Sequence, residues 1–583
     1  MASSAIRVSS DRSRATIAWT SLWTLPPPLL PSFEILEYVK RFEEKSANTP
    51  FPRQRTAVAR CNRIQRRSMF RTRRESRFVP FRFTFLELPD AANKLRRFRV
   101  RPFRRNFSSG SPGKTYVGTC FDFETKHSFF NRRVSIKFCK IESSGCLGMM
   151  SYGQILGWAS PSLPRLLAPD SPVPLTQQQA TWVTSCQMLG AIGGSLLCPC
   201  LVNTAIGRKW TMLLSAVPAI VSWLMIAFAT SAWELYVARI VAGLSTGSGY
   251  VSCIMYTGEI SPARIRGILT SALTVAAKFG LFLEWTIGSF LSVRDLALAS
   301  ASLPILFALA AIRLPESPYH SMRRGKRERA IRTLARLRGT ADVAEEVERM
   351  EKSVKMDLAN DTGPRELVAV PGNRKALTVV VFLLLIQQWS GSMAVLSYAQ
   401  LIFNATGNSF EGKYVTMIVG AVQTVCAGLS TAIVDSFGRR ALLMASALGT
   451  GASTALVGAF FFLQRTGADV TDLVWLPAIG VILYIVAYAV GLAGLPFTMI
   501  SEVFPTNVKA LGSTIAMMCL NAFAFSVTSL YSSIDEAWGK HTAFWIYAAV
   551  SFVGTVFVYC YVPETRKKTL QEVQDQLHGR KIF

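Results

Sequence analysis

From Cys146 onward, apolar runs alternate with short polar breaks, at 146–168, 180–203, 210–230, 233–256, 267–291 and 295–314. A charge-dense stretch, 317–375, carries RRGKRERAIRTLARLRG and EEVERMEK, and six further apolar runs follow at 376–403, 413–434, 441–463, 473–500, 509–533 and 541–562. A helix rises about 1.5 Å per residue, so about 20 apolar residues cross a hydrocarbon core about 30 Å thick. The pattern therefore predicts an all-α membrane protein of twelve transmembrane helices. They fall into two six-helix bundles, 146–316 and 376–562, joined by a linker of short amphipathic helices and followed by a polar tail, 563–583.

The bundles repeat each other. IGRK at 206–209 is answered by FGRR at 437–440, GEISPARIRG at 258–267 by SEVFPTNVKALG at 501–512, and LPES at 314–317 by VPET at 562–565. The copies run in one order and one orientation, the sign of a carrier built from parallel repeats with its substrate site between them. Loops holding Arg208 and Lys209, Arg264 and Arg266, the linker, Arg439 and Arg440, Lys509 and the tail alternate with loops holding a single Lys or Arg each. This asymmetry places both termini and the linker in the cytoplasm. Asn404-Ala-Thr406 then lies outside as a candidate glycosylation acceptor.

Composition agrees, with half of the residues hydrophobic and only 17% charged, against about 25% in soluble domains. Residues 1–145 differ: 30 Lys and Arg against 11 Asp and Glu give +19 of the total +28. This basic, Arg- and Ser-rich stretch is expected to lie outside the membrane domain, as a disordered tail, a targeting segment or a non-native leader. The first helix, starting abruptly at Cys146, is expected to be short. Eleven cysteines and four histidines lack metal-ligand spacing, so no metal, cofactor, covalent catalysis or nucleic-acid partner is expected.

The seventh run, LLIQQWSGSMAVLSYAQLIF, carries a polar middle. On one continuous helix Gln387, Ser390, Gly391, Ala394 and Tyr398 share a face. Such a face either lines a cavity or packs another helix through hydrogen bonds. The adjacent amides favour a ligand, since an amide offers donor and acceptor to a hydroxyl. GLAGLPFTMISE in the tenth run, with Gly491, Gly494 and Pro496, predicts a broken helix. The first run is free of acids, and Glu284 is the one mid-span carboxylate outside a motif, expected to hold a local partner.

The quoted repeats, with QQWSG at 387–391, resemble the motifs of the major facilitator superfamily sugar porters over about 146–575, and most nearly the insect branch that includes facilitated trehalose transporters. The resemblance implies the major facilitator fold, a small-molecule sugar substrate, the plasma membrane and no enzymatic activity. It implies that Gln387, Gln388, Gln423 and Asn521 bind sugar hydroxyls, that Phe497 replaces a common Trp against the sugar ring, and that Tyr398 stands at the outer gate. Thr274 sits where many hexose carriers have Gln, and Met393 where Asn is usual, so hexose recognition cannot be carried over unchanged. The missing acid in the first run implies passive uniport. Arg208, Lys209, Arg239, Glu259, Arg266 and Glu316 in the first half, and Asp435, Arg439, Arg440, Glu502, Lys509 and Glu564 in the second, are expected to form ion pairs that close the cytoplasmic side. The pocket itself is expected to be uncharged.

Overall fold

The computed structural model describes residues 132–566 except 205, 263–264, 341, 360–363, 407–410 and 506–507, together with 568, 572–573 and 576. Side chains are described from 141 on, without those of 357, 359, 364, 431–436 and 510. Residues 1–131 of the basic stretch, Arg264 and the side chain of Asp435 thus lie outside the described residues.

The first bundle comprises α1 (Arg132–Gly157, continued by Ala159–Leu166), α2 (Gln177–Asn203), α3 (Gly207–Leu214 and Ala216–Ala227), α4 (Ala232–Ile260), α5 (Arg266–Gly288) and α6 (Val293–Ser300 and Ser302–Ala311). The linker folds into α7 (Pro318–Arg323), α8 (Arg327–Arg338), α9 (Ala344–Ala359) and α10 (Pro364–Ala369). The second bundle is α11 (Pro371–Gln387 and Met393–Asn404), α12 (Gly412–Ser436), α13 (Arg439–Arg465), α14 (Leu476–Val490 and Leu495–Val503), α15 (Lys509–Trp538) and α16 (Lys540–Tyr561). Ten of these twelve spanning elements are long and apolar enough to cross a membrane by composition alone. The other two, α1 and α4, carry more polar residues and pack inside the first bundle.

Local chemistry sets the helix ends. Thr176 and Gln179 form a reciprocal capping box at the start of α2, at 3.3 and 3.0 Å, satisfying two orphan donors. Ser317 caps α7, with Pro318 in its first turn. Contrary to the sequence reading, α1 begins at Arg132 rather than Cys146. KIESSG holds no proline, and Ile141 and Ser144 are buried, so the helix runs on past its apolar segment.

Lipid supplies no hydrophobic drive between helices, so close backbone approach does that work. A Cβ on Gly190 of α2 would stand 2.0 Å from the Ile240 carbonyl of α4, and one on Gly243 2.0 Å from that of Gln187. Gly153 of α1 and Gly280 of α5 interlock in the same way. The linker has a small core of its own around Ala330, Leu334, Val343 and Val347. Arg338 ties it to the end of α4, pairing with Glu346 at 2.6 Å while donating to the Ile260 carbonyl at 2.9 Å.

The apolar clusters are distributed unevenly between the two ends of the molecule. On the side away from the linker one cluster draws on both bundles, with Trp158, Trp223 and Trp285 of the first and Tyr398, Phe461 and Tyr547 of the second. On the linker side the two bundles have separate clusters, one built from the first half with Leu337 of the linker and one from the second half with Leu367 of the linker.

Candidate substrate-binding site

Between the bundles lies a cavity of about 240 Å³. The first half lines it with Gln187, Ser195, Tyr250, Thr274 and Lys278 among others, and the second with Gln387, Gln388, Gln423, Tyr488, Phe497 and Asn521. Thr274 and Gly494 line it and are exposed, so the cavity opens towards the linker side. The far side is sealed across the seam. The Gln400 N–H donates to Ser160 Oγ at 3.2 Å, Gln177 Nε2 donates to Ser532 Oγ at 3.2 Å, and Tyr398 stacks on Tyr531 at 4.7 Å beneath them.

The expected continuous face on the seventh span does not exist. α11 breaks at Gln388–Ser392, a wide turn in which Gly391 takes φ +98°. That region is open to glycine and strained for other residues. The break turns Gln387, Gln388 and Met393 to the cavity and swings Tyr398 out of it. Tyr398 is buried and its hydroxyl donates to the Thr528 carbonyl at 3.0 Å. Ser390 donates to the Gln387 carbonyl at 3.0 Å and serves the break itself. The expected break in α14 is present, with Gly491–Gly494 between its two helices.

The cavity amides are incompletely paired. Gln387 Nε2 donates to the Ala493 carbonyl at 3.4 Å, and Asn521 Nδ2 donates to Met517 O and Ser195 Oγ at 2.9 and 3.2 Å. Gln388 Oε1 accepts from Ser392 Oγ at 3.2 Å. The amide oxygens of Gln387 and Gln423 are buried without a hydrogen-bond partner. Buried acceptors are normally satisfied, so these two await donors such as hydroxyls or water. Phe497 lines the wall, half-buried against the second bundle's apolar cluster.

The motif charges form matching networks on the linker side, each inside its own bundle. Arg208 Nε reaches both Glu259 oxygens at 3.0 and 3.1 Å, and the Lys209 N–H donates to Glu316 at 3.1 Å. In the second half Arg439 pairs with Glu502 at 3.4 Å, while the Arg439 and Arg440 N–H groups donate to Glu564 at 3.0 and 3.2 Å. Ser317 bonds Glu259 as Thr565 bonds Glu502. The sequence repeat is thus realised as the same residue pairings in both halves. Burial would raise the Glu564 carboxyl, but N–H donors from Arg566, Arg440, Arg439 and Thr565 outweigh it and hold the group below the usual range. Burial, and after it Arg208 and three further arginines, push His320 down to about 4, so its neutral Nδ1 faces Arg208 at 3.1 Å. Lys509 donates to the Ser501 carbonyl and Arg266 to that of Ser261.

Arg239 does not belong to these clusters. It lies 20 residues before Glu259 on α4, about 30 Å along the helix, where its guanidinium donates to the Ile155 and Val183 carbonyls and Gln187 and covers the Trp158 ring at 4.9 Å. Its grouping with the inner-end charges is therefore corrected. Glu284 does hold a local partner, accepting from Ser300 Oγ at 2.7 Å. Asn404 is exposed at the end of α11 on the far side, with Thr406 of its sequon buried. Sequence reasoning missed Lys278, Gln187, Tyr488 and Ser195. The signal for Lys278 was a lone cation in the middle of TSALTVAAKFGLFLEW, and it overturns the uncharged pocket.

A profile described as Sugar (and other) transporter matches residues 126–577. Curated proteins called facilitated trehalose transporter Tret1 are 31% identical over 438 residues, 74% of this chain, in Anopheles gambiae and in Culex quinquefasciatus. The matched stretch covers 55% of the Anopheles protein and 84% of the Culex one, so the chain spans about half the length of most such relatives. Among solved structures, the proton:xylose symporter XylE bound to 6-bromo-6-deoxy-D-glucose matches 76% of this chain and 99% of its own, with TM-score 0.62 and 24% identity. The inward open conformation of the xylose transporter XylE from E. coli matches 75% and 99%, with TM-score 0.63 and 22% identity. These likenesses establish the fold.

Proposed function

The chain belongs to the family of sugar and other transporters, and we propose that it is a facilitative carrier moving a sugar, trehalose or a hexose, across the plasma membrane by alternating access. The observation that carries this reading is the seam cavity with the unpaired Gln387 and Gln423 oxygens. Gln387, Gln388, Gln423 and Asn521 would meet the hydroxyls, and Phe497 and Thr274 would shape the wall. The termini and linker lie in the cytoplasm, which makes the described conformation inward-facing. Within each half the Arg–Glu networks keep helix ends together. Closing the linker side brings the two networks towards each other, at a cost that substrate binding needs to shift by only a few kcal/mol. Affinity near 1 mM, about −4 kcal/mol, permits release on the far side.

Uniport fits a cavity whose described lining holds no carboxylate. A proton symporter is the second reading, favoured by Glu284, fully buried with one oxygen unpartnered. Radiolabelled trehalose and glucose uptake in oocytes, with and without a proton gradient, separates them: uptake that survives collapse of the gradient is expected, and uptake abolished by it would establish the symporter. Gln387→Ala removes an amide from the cavity, and an unpaired bound hydroxyl costs about 1–3 kcal/mol. Uptake should fall about tenfold at unchanged surface protein; unchanged kinetics would remove Gln387 from the site.

A further inference from the structure

Among the described residues, a cation stands in the cavity without a counter-ion. Lys278 occupies the middle of α5 and lines the space between the bundles. Its depth follows from helix register: Phe282 packs against Gly420 of α12. Lys278 lies one turn below Phe282 and Gln423 one turn below Gly420, because α5 and α12 run in opposite directions. Lysine and the orphaned amide therefore sit at one level.

Among the described residues no carboxylate lines this cavity, and no ion pair reaches Lys278. The nearest acid on its own helix, Glu284, is taken up by Ser300, with Arg239 as its cationic neighbour. An intramembrane charge is expensive and usually marks a substrate or ion pathway. A structural lysine would be expected to hold a carboxylate or a ring of carbonyls, as Arg239 does with Ile155, Val183 and Gln187. Among the described residues Lys278 has no such partner, and it lines the cavity.

We propose that the cavity prefers an anionic polyhydroxyl solute, a sugar acid or sugar phosphate, over a neutral sugar, with Lys278 binding the anionic group. This rests on the carrier reading above and refines its substrate. Gln387, Gln388, Gln423 and Asn521 keep their role towards hydroxyls. The solute's negative charge supplies the counter-ion the bilayer interior lacks, and the ammonium offers three donors to carboxylate or phosphate oxygens. Thr274, one turn from Lys278, leaves room on this wall where a longer amide would stand.

The test compares uptake of labelled glucuronate, glucose 6-phosphate and glucose in oocytes expressing the full chain, normalised to biotinylated surface protein. At least one anion should be taken up tenfold faster than glucose and should inhibit glucose uptake by the wild-type chain. Whichever anion does so identifies the acidic group. Lys278→Gln should lower the anion-to-glucose ratio at least tenfold, and Lys278→Arg should preserve most of it. Glucose uptake that equals or exceeds both anions and resists their competition would overturn the proposal while leaving the carrier reading intact. A ratio unchanged in Lys278→Gln would overturn it too. No uptake of these three solutes or of labelled trehalose by surface-expressed chain would end both readings together.

Discussion

Arg208→Ala is expected to lower the unfolding free energy by about 3–5 kcal/mol, the usual cost of removing one partner from a buried ion pair. The side chain of Arg208 is 3% exposed and that of Glu259 16%. Besides Glu259, Arg208 serves the Val202 carbonyl at 3.0 Å and His320 Nδ1 at 3.1 Å. Its loss would leave a carboxylate with Ser317 alone at the junction of α3, α4 and the linker. A thermal melt of the detergent-solubilised chain would show this as a large drop in midpoint. Adding Glu259→Gln should recover part of it, because the stranded charge is what destabilises. The counterpart Arg439→Ala should cost less, since its pair is 18% and 27% exposed and water screens it. Equal melts for wild type and Arg208→Ala would contradict this reading of the network.

Gly391→Val should abolish most transport. A β-carbon there would stand 2.7 Å from the Tyr547 ring, and the backbone sits at φ +98°, costing a non-glycine residue about 1–2 kcal/mol before any clash. Either the turn straightens, rotating Gln387 and Gln388 away from the cavity, or α16 shifts. Either outcome loses at least about 1.4 kcal/mol, which is tenfold in affinity. Uptake per surface molecule measures it, and near-normal uptake would show that the break is dispensable.

That break also shows where reading the sequence stopped working. The spans could be placed because lipid allows few alternatives to apolar helices, and the α14 break because glycines and a proline cluster there. In the seventh apolar run, 376–403, the single glycine sat at a position consistent with regular helical spacing. Periodicity therefore put Gln387 and Tyr398 on one face, while the wide turn sends one to the cavity and the other to the seal. Arg239 was misplaced because a lone charge in a span carries no mark of its depth, and here a buried guanidinium surrounded by carbonyls lies deep within a bundle. The motif glutamates were legible because they recur in both halves. Lys278 has no such repeat and was passed over.

The central claim is a water-filled cavity between two like bundles, open on one side at a time and filled by the transported solute. Cysteine accessibility at position 423 tests it most directly, using Gln423→Cys in a chain whose eleven native cysteines are replaced. A membrane-impermeant thiol reagent applied from the cytoplasmic side should modify it, and a transported solute should slow that reaction several-fold. Modification that no transported solute slows, or that occurs only with lipid-soluble reagents, would contradict the account.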